Sequence, residues 1–386
     1  MILIDKGEMK MLMWYIILLI LIFSTTAGLV YLGAKVADFS KIKQISHNNK
    51  KIGFGYGLLI VAAFFGIAVL SINMMNAVIC MLHFVIFWLI CDVAAAIVRR
   101  IRKKEAKKNY AGAAALIFGI AYLAFGWYSA HGVWTTHYTI ETEKDVKNLR
   151  VALIADSHIG TTFDGKGFAK HLKKIKKENP DILIIAGDFV DDGTSRKDML
   201  TATKALGDFS TKYGIYFAFG NHDKGYYNPA KRGFTGADLV RELERNGVKV
   251  LEDETDEITE NMQVIGRKDA SEFMRGGRRM AMRELLENMP KNNFMLVVDH
   301  QPNDYKNQAE SEVDLVLSGH THGGQLFPLN KVGEWIGAND RTYGFEHRNL
   351  TDFIVTSGIS DWNIKFKTGT KSEFVIIDIR KKTRGN

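Results

Sequence analysis

Leu315-Val316-Leu317-Ser318-Gly319-His320-Thr321-His322 is a short apolar run that breaks into a glycine and two histidines. Such runs, apolar without alternation, suit strands buried on both faces. Outward from it the same arrangement recurs. Val151–Ala155 is followed by Asp156-Ser157-His158, and Ile182–Ala186 by Gly187-Asp188. Ile215–Phe219 leads into Gly220-Asn221-His222-Asp223, and Phe294–Val298 into Asp299-His300. Segments of helical pattern lie between several of these runs, at Lys166–Glu178, Lys197–Phe209 and Ala237–Asn246. Strands alternating with helices read as an α/β layered domain, a class that places its sites at strand C-ends.

A single histidine after a strand is ordinarily a satisfied structural residue. Here five of the eleven histidines (His158, His222, His300, His320 and His322) fall in these short turns. Five strands delivering Asp, His or Asn at one sheet edge is hard to explain by stability. Gathered there, Asp156 and Asp188 need a counter-charge, which bound cations supply. The donor set has no thiolate and offers imidazoles, two carboxylates and an amide. That mixture suits Mn, Fe or Zn better than Mg or Ca, which prefer oxygen shells. Two such ions about 3.5–4 Å apart can share a carboxylate oxygen, activate a bridging hydroxide and hold the oxygens of a phosphate under attack.

Asp156-x-His158, Gly187-Asp188, Gly220-Asn221-His222-Asp223, His300 and Gly319-His320-x-His322 together resemble the ordered motif set of the calcineurin-like metallophosphoesterases. The version Gly319-His320-Thr321-His322-Gly323-Gly324-Gln325 is similar to the membrane-associated bacterial branch of that family. The likeness runs over roughly residues 136–380, about two-thirds of the chain. It implies a four-layer αββα sandwich with a dimetal centre at the strand ends. Carried over, Asp156, His158 and His322 are expected on the first metal, Asn221, His300 and His320 on the second, and Asp188 between them. His222 resembles the family's non-ligand histidine, which serves the leaving oxygen, and Asp223 is expected to orient it. The first block reads Ala155-Asp156-Ser157-His158 where Ser-Asp-Leu-His is common, and Gly358–Lys365 replaces a run usually ending in Pro-Arg.

The N-terminal third has a different character. All five prolines lie at Pro180 or later, and four long apolar stretches precede Val133. They cover roughly 12–34, 54–70, 75–98 and 111–130, each near the ~20 residues a bilayer span needs. The domains expected are therefore 1–134, a transmembrane region of about four helices, and 135–386, the catalytic domain. Residues 1–134 hold 14 Lys+Arg and 5 Asp+Glu, whereas 135–386 hold 37 and 38. The basicity belongs to the membrane loops and is no footprint for nucleic acid, so no nucleic-acid binding is expected. Lys35, Lys41, Lys43, Lys50 and Lys51 crowd the first loop, and Arg99–Lys108 is the second basic one. With four spans both fall on one side, which the positive-inside rule makes cytoplasmic, leaving the catalytic domain outside. Ser24-Thr25-Thr26-Ala27 offers a signal-peptide cleavage site, but cleavage there would put Lys35–Lys51 outside, against that rule.

Cys80 and Cys91 share one apolar run, about 16 Å apart along a helix at ~1.5 Å per residue, too far for a disulfide. Asp92 is expected to pair with Arg99, His83 to hydrogen-bond between helices, and the Gly112, Gly119, Gly126 heptad to line a packing face. Arg275-Gly276-Gly277-Arg278-Arg279 reads as a solvated loop, with a phosphate or lipid-headgroup grip as the alternative, and Trp335 and Trp362 as aromatics of a core or of a lipid-facing rim. The function expected is hydrolysis of a phosphomonoester, phosphodiester or pyrophosphate at two divalent ions, with lipid- or envelope-linked substrates favoured by the membrane tether. The competing expectation is a metal-binding or sensory membrane protein whose esterase-like domain is a non-catalytic interaction module.

Overall fold

The computed structural model describes residues 6–104, 108–225 and 229–382, so residues 105–107 of the second basic loop lie outside it. The chain divides into two compact units, Met1–Phe125 and Gly126–Asn386.

The first unit is helical: α1 (Lys6–Ala37), α2 (Ser40–Ile45), α3 (Lys50–Ile72), α4 (Met74–Arg102) and most of α5 (Tyr110–His131). All but the short α2 are long and apolar enough to cross a membrane. Asn73 makes the break between α3 and α4 a sharp hairpin. Its φ is +94°, and its side chain accepts from the Asn76 N–H, capping α4. Helix packing here depends on missing side chains. A Cβ on Gly57 would sit 2.1 Å from the Gly33 carbonyl oxygen, so α1 and α3 meet at their backbones, and a Cβ on Gly119 would sit 2.6 Å from the Phe84 ring. Asp92 does not pair with Arg99. Its partners are Lys35, at 2.5 Å, and the Tyr31 hydroxyl, at 3.1 Å. Seven residues along one helix separate Asp92 and Arg99 by about 10 Å of rise, whereas α1 presents Lys35 directly. His83 Nδ1 lies 2.7 Å from Ile79 O of its own helix, not of a neighbouring one.

The second unit runs β1 (Val133–Thr142), β2 (Leu149–Ile154), α6 (Gly165–Lys176), β3 (Ile182–Ala186), α7 (Arg196–Gly207), β4 (Ile215–Ala218), α8 (Pro229–Arg232), α9 (Gly236–Arg245) and β5 (Val248–Leu251). It continues with β6 (Glu254–Thr259), β7 (Met262–Gly266), α10 (Met282–Leu286), β8 (Phe294–Val298), α11 (Tyr305–Glu310), β9 (Leu315–Ser318), α12 (Val332–Trp335), β10 (Gly344–Arg348), β11 (Thr351–Val355) and β12 (Ser372–Lys381). Two six-stranded sheets result, ordered β1-β12-β2-β3-β4-β5 and β10-β11-β9-β8-β7-β6. The strands β2 to β5 and β7, β8, β9, β11 run parallel, and of these all but the edge strand β5 are inner strands, the place expected of runs buried on both faces.

Alternate residues explain the layering. Val151, Leu153, Ile182 and Ile184 meet Leu296, Val298, Leu315 and Leu317 in a core between the sheets. Ala152, Ile154, Leu183 and Ile185 point the other way, onto Phe168, Leu172, Met199 and Leu243 of the flanking helices. On the far side Met295, Val297 and Val316 pack against Met282, Leu285, Tyr305 and Ala309. This is the αββα order. One expectation needs correcting: the five donor-bearing strands do not share one sheet edge. β2, β3 and β4 belong to one sheet, β8 and β9 to the other. A parallel strand buried on both faces reads alike in either sheet, so the apolar runs carry no signal for the division.

Candidate metal centre

Each candidate donor stands in a turn just past a strand. β2 leads into Asp156 and His158, β3 into Asp188, β4 into Asn221, β8 into His300, and β9 into His320 and His322. The turns are wound tightly: Asp156, His158, Asp188, His320 and His322 have φ between +35° and +73°. Residues with a Cβ rarely adopt such values, and the strain persists only where the surroundings over-determine it. Here neighbouring turns hold one another. The Asp156 N–H donates to Gly187 O and the His158 N–H to Asp188 O, both at 3.0 Å. The motif glycines provide clearance, because a Cβ on Gly220 would lie 2.2 Å from Asp188 Oδ1 and one on Gly319 2.6 Å from Asp156 Oδ2.

The side chains gather into two triplets. Donor atoms of Asp156, His158 and His322 lie within 4.8 Å of one another, and so do those of Asp188, His300 and His320. Asp188 Oδ2 faces both groups, 3.2 Å from His300 Nε2 and 3.6 Å from His158 Nε2. Asn221 joins the second triplet, its Oδ1 2.9 Å from His320 Nδ1. All seven expected donor residues are thus brought together. His158 Nε2 and His300 Nε2 are buried and make no hydrogen bond. The opposite ring nitrogens are backed: His300 Nδ1 lies 2.7 Å from Ala186 O, His322 Nδ1 3.3 Å from Ser360 O, and His158 Nδ1 3.4 Å from Asp191 Oδ2. Backing of this kind fixes ring orientation and leaves Nε2 directed inward.

Electrostatics point the same way. Burial pushes the Asp156 carboxyl up to about 6 and the His320 ring down to about 4. Burial, with His158 beside it, sends His322 well below its ordinary value. For Asp188 burial works upward, but His300, His158 and His222 hold the carboxyl well below 3.8. His300 is the counterpart, held well above 6.5 against its burial by Asp188 and Asp156. Asp156 forced toward neutrality beside His320 and His322 rings forced to stay uncharged, with Asp188 and His300 answering each other, marks a place short of positive charge. The donor chemistry, the buried ring nitrogens directed at Asp188 without a formed hydrogen bond and this imbalance all fit a pair of divalent cations.

His222 and Asp223 were expected to work as a pair. The His222 ring is half-buried, 5.1 Å from the His158 ring and 5.0 Å from that of Trp362, and the His222 backbone N–H donates to Asp188 Oδ1 at 2.8 Å. Asp223 does something else. Its Oδ2 accepts from the Asp188 and Gly220 N–H groups at 2.9 and 2.7 Å, and its Oδ1 from the Val190 N–H at 3.1 Å. Three backbone donors converge on this buried carboxylate, so it clamps the β3 and β4 turns together.

Other contributors carried no such motif. Asp191, which backs His158, sits in Asp191-Asp192-Gly193 and reads as a solvent-facing turn. Lys367 is fully buried, donating to Ser357 O and Ser360 O at 2.7 and 3.1 Å, with Asp361 Oδ1 at 3.2 Å. It thereby fixes the carbonyl beside His322. The solvated reading holds for Arg275 through Arg278, which are exposed, and fails for Arg279. Arg275 donates to Asn221 O and Gly225 O at 3.1 and 3.0 Å, and Arg279 is buried against Asp299, the neighbour of His300. Residue counting gives no hint of this, because both arginines answer carbonyl and carboxylate groups far away along the chain.

Comparison with known proteins bears on this geometry. Residues 149–324 match the family described as Calcineurin-like phosphoesterase. An uncharacterized metallophosphoesterase of Aquifex aeolicus is 34% identical over 194 residues, 49% of this chain and 70% of that protein. An uncharacterized metallophosphoesterase of Campylobacter jejuni is 28% identical over 61% of this chain and 60% of its own length. A transmembrane protein with metallophosphoesterase domain from Danio rerio is 28% identical over 61% of this chain. The match spans only 54% of that zebrafish protein.

Proposed function

The chain belongs to the calcineurin-like metallophosphoesterases, and on that premise we propose that it is a membrane-anchored dimetal phosphoesterase. The observation that carries the proposal is the placing of Asp188, whose Oδ2 stands between ring nitrogens of both donor triplets. Asp156, His158 and His322 would hold one ion and Asn221, His300 and His320 the other, with Asp188 placed to serve both. When bound, two divalent ions acidify a water and neutralise phosphate oxygens, which is the chemistry of phosphomonoester, phosphodiester or pyrophosphate hydrolysis.

The remaining steps belong to the side chains. His222 is half-exposed and its backbone is pinned to Asp188, so the ring can meet the leaving oxygen at a fixed place. Asp223 keeps the β3 and β4 turns in register, and Asp191 and the Ser360 carbonyl keep His158 and His322 from turning away. Every donor position is filled, which favours catalysis over the non-catalytic interaction module.

The test is Asp188→Ala in the full-length protein, assayed with Mn²⁺ on p-nitrophenyl phosphate, bis-p-nitrophenyl phosphate and a nucleoside diphosphate sugar. We expect kcat/KM to fall by about 10³ or more, ~4 kcal/mol of transition-state stabilisation, with an unchanged circular dichroism spectrum. Undiminished turnover in this variant would refute the reading.

A further inference from the structure

We propose that exposed apolar side chains beside the metal centre are seated in the bilayer interface, and that the phosphate esters the centre takes are carried by membrane lipids. The substrate half rests on the phosphoesterase reading above; the docking half stands on its own.

Four large apolar side chains crowd the stretch after the His320–His322 motif. Phe327 is 60% exposed, Leu329 62%, Trp335 70% and Ile336 72%. Trp362, half-exposed, stands 5.0 Å from the His222 ring, and its neighbour Asp361 accepts from Gln325 Nε2, two residues before Phe327, at 3.2 Å. Concentrated apolar exposure marks an interaction surface. Its occupant follows from what the stretch is fastened to. The Thr368 and Gly369 N–H groups donate to Gln325 O at 2.8 and 3.0 Å, and the Phe327 N–H donates to Thr368 Oγ1 at 3.1 Å. One residue before Thr368, the Lys367 N–H donates to Gly126 O at 2.9 Å. The Phe366 ring lies 5.8 Å from that of Trp127, and the Ser372 hydroxyl donates to Ala130 O at 2.7 Å. Gly126 lacks a side chain where one would strike Thr368 at 2.7 Å.

Gly126, Trp127 and Ala130 belong to the last turns of α5, a candidate membrane span ending at His131. Gly126 is therefore about 7.5 Å inside the end of that span, at ~1.5 Å per residue. Trp127, Tyr128 and Trp134 surround the same end, and aromatics of this kind settle at headgroup level. A segment tied to Gly126 thus reaches that level, where its exposed apolar side chains meet lipid. Lys331, within the rim, and Lys371, over the Trp134 ring at 5.9 Å, place cations where anionic headgroups lie. His322 is on the same tether: its carbonyl accepts from the Thr370 hydroxyl at 3.3 Å. A metal-centre residue and the rim therefore share one attachment to the span, so a lipid phosphate arrives at the centre while its chains remain in the bilayer.

The test uses full-length protein in vesicles of phosphatidylcholine and phosphatidylglycerol, on a Cys80→Ser, Cys91→Ser background. Nitroxide labels at Leu329→Cys and Ile336→Cys should be relaxed more by oxygen than by an aqueous nickel chelate, with a Lys197→Cys label on α7 showing the reverse. Chelate-dominated relaxation at both rim positions would overturn the docking proposal whatever the turnover. In parallel, phosphate release from vesicles containing phosphatidic acid, phosphatidylglycerol and total bacterial lipid extract is compared with turnover of p-nitrophenyl phosphate. Replacing Phe327, Leu329, Trp335 and Ile336 by serine should lower lipid turnover about tenfold or more and leave the soluble ester within about twofold. Lipid turnover that is absent or insensitive to these changes, with soluble turnover intact, overturns the lipid substrate. Loss of turnover on every substrate by the metal-supplied wild type instead counts against the hydrolase reading, while the label depths still decide the docking.

Discussion

Asp191 places a carboxylate oxygen 3.4 Å from His158 Nδ1, on the side of the ring away from the metal centre. The carboxylate is itself fixed by the Gly193 N–H at 2.7 Å. Burial acts to raise its carboxyl, but His158 and that N–H bring it below the ordinary 3.8, so it stays ionised behind the ring. Asp191→Asn should therefore keep the fold and lose about 10–100-fold in metal affinity, read by Mn²⁺ titration of metal-stripped protein. Affinity equal to wild type would make Asp191 a turn residue only. The seven donor residues were legible because each follows an apolar run within a few positions. Their supports were not: Asp191, Ser360 and Lys367 act through a carboxylate, a carbonyl and an ammonium that no local pattern distinguishes. Asp223 shows the converse: its place beside His222 suggested a partnership, and no local pattern announced the three backbone N–H groups it holds.

Strands were legible according to how they are buried. β2, β3, β4, β8 and β9 carry continuous apolar runs that end in chemistry, and the structure returns each within two residues of its expected bounds. β6 and β10, the polar outermost and next-to-solvent strands of the second sheet, show no such run. β12 does carry Phe374-Val375-Ile376-Ile377, but no donor follows it, so a reading led by motifs passes over it. Yet β12 holds the first sheet together, parallel to β1 and antiparallel to β2. Across that second pairing Arg150 and Asp378 stand directly opposite, with bonds of 2.7 and 3.1 Å. The Arg150 hydrogen bond is the main cause that brings the Asp378 carboxyl below 3.8. Its stabilisation is thus complete above the unfolded value and disappears as pH falls through the lower folded one. Asp378→Asn should cost about 1 kcal/mol at neutral pH, the pair being partly exposed. In urea melts at successively lower pH the gap between variant and wild type should close below pH 3.8, and a gap that persists there would deny the linkage.

At the scale of the whole molecule, orientation is set by charge in the loops. We propose that the Lys35–Lys51 loop and the 99–108 loop face the cytoplasm and that the metal centre lies on the opposite side. Alkaline phosphatase fused to the C-terminus should then be active in a bacterial host, and green fluorescent protein at the same point should be dark. The opposite pair of results would invert the topology. The fourth span ends at His131 and β1 begins at Val133, so the catalytic unit follows its anchor almost without a linker.

Spans, the apolar cores of the inner strands, and the identity and order of the candidate donors were all legible in the amino-acid sequence alone. Each of these depends on neighbours within about twenty residues, where run length and spacing are direct physical constraints. Only the tertiary structure decided that the donors come from two sheets, that Asp188 faces both triplets, and that Lys367 and Asp191 support them. It alone tied the apolar rim to the end of a span. Those relations join residues as far apart as Gly126 and Lys367, and no local pattern encodes how two twisted sheets and their connecting turns will meet.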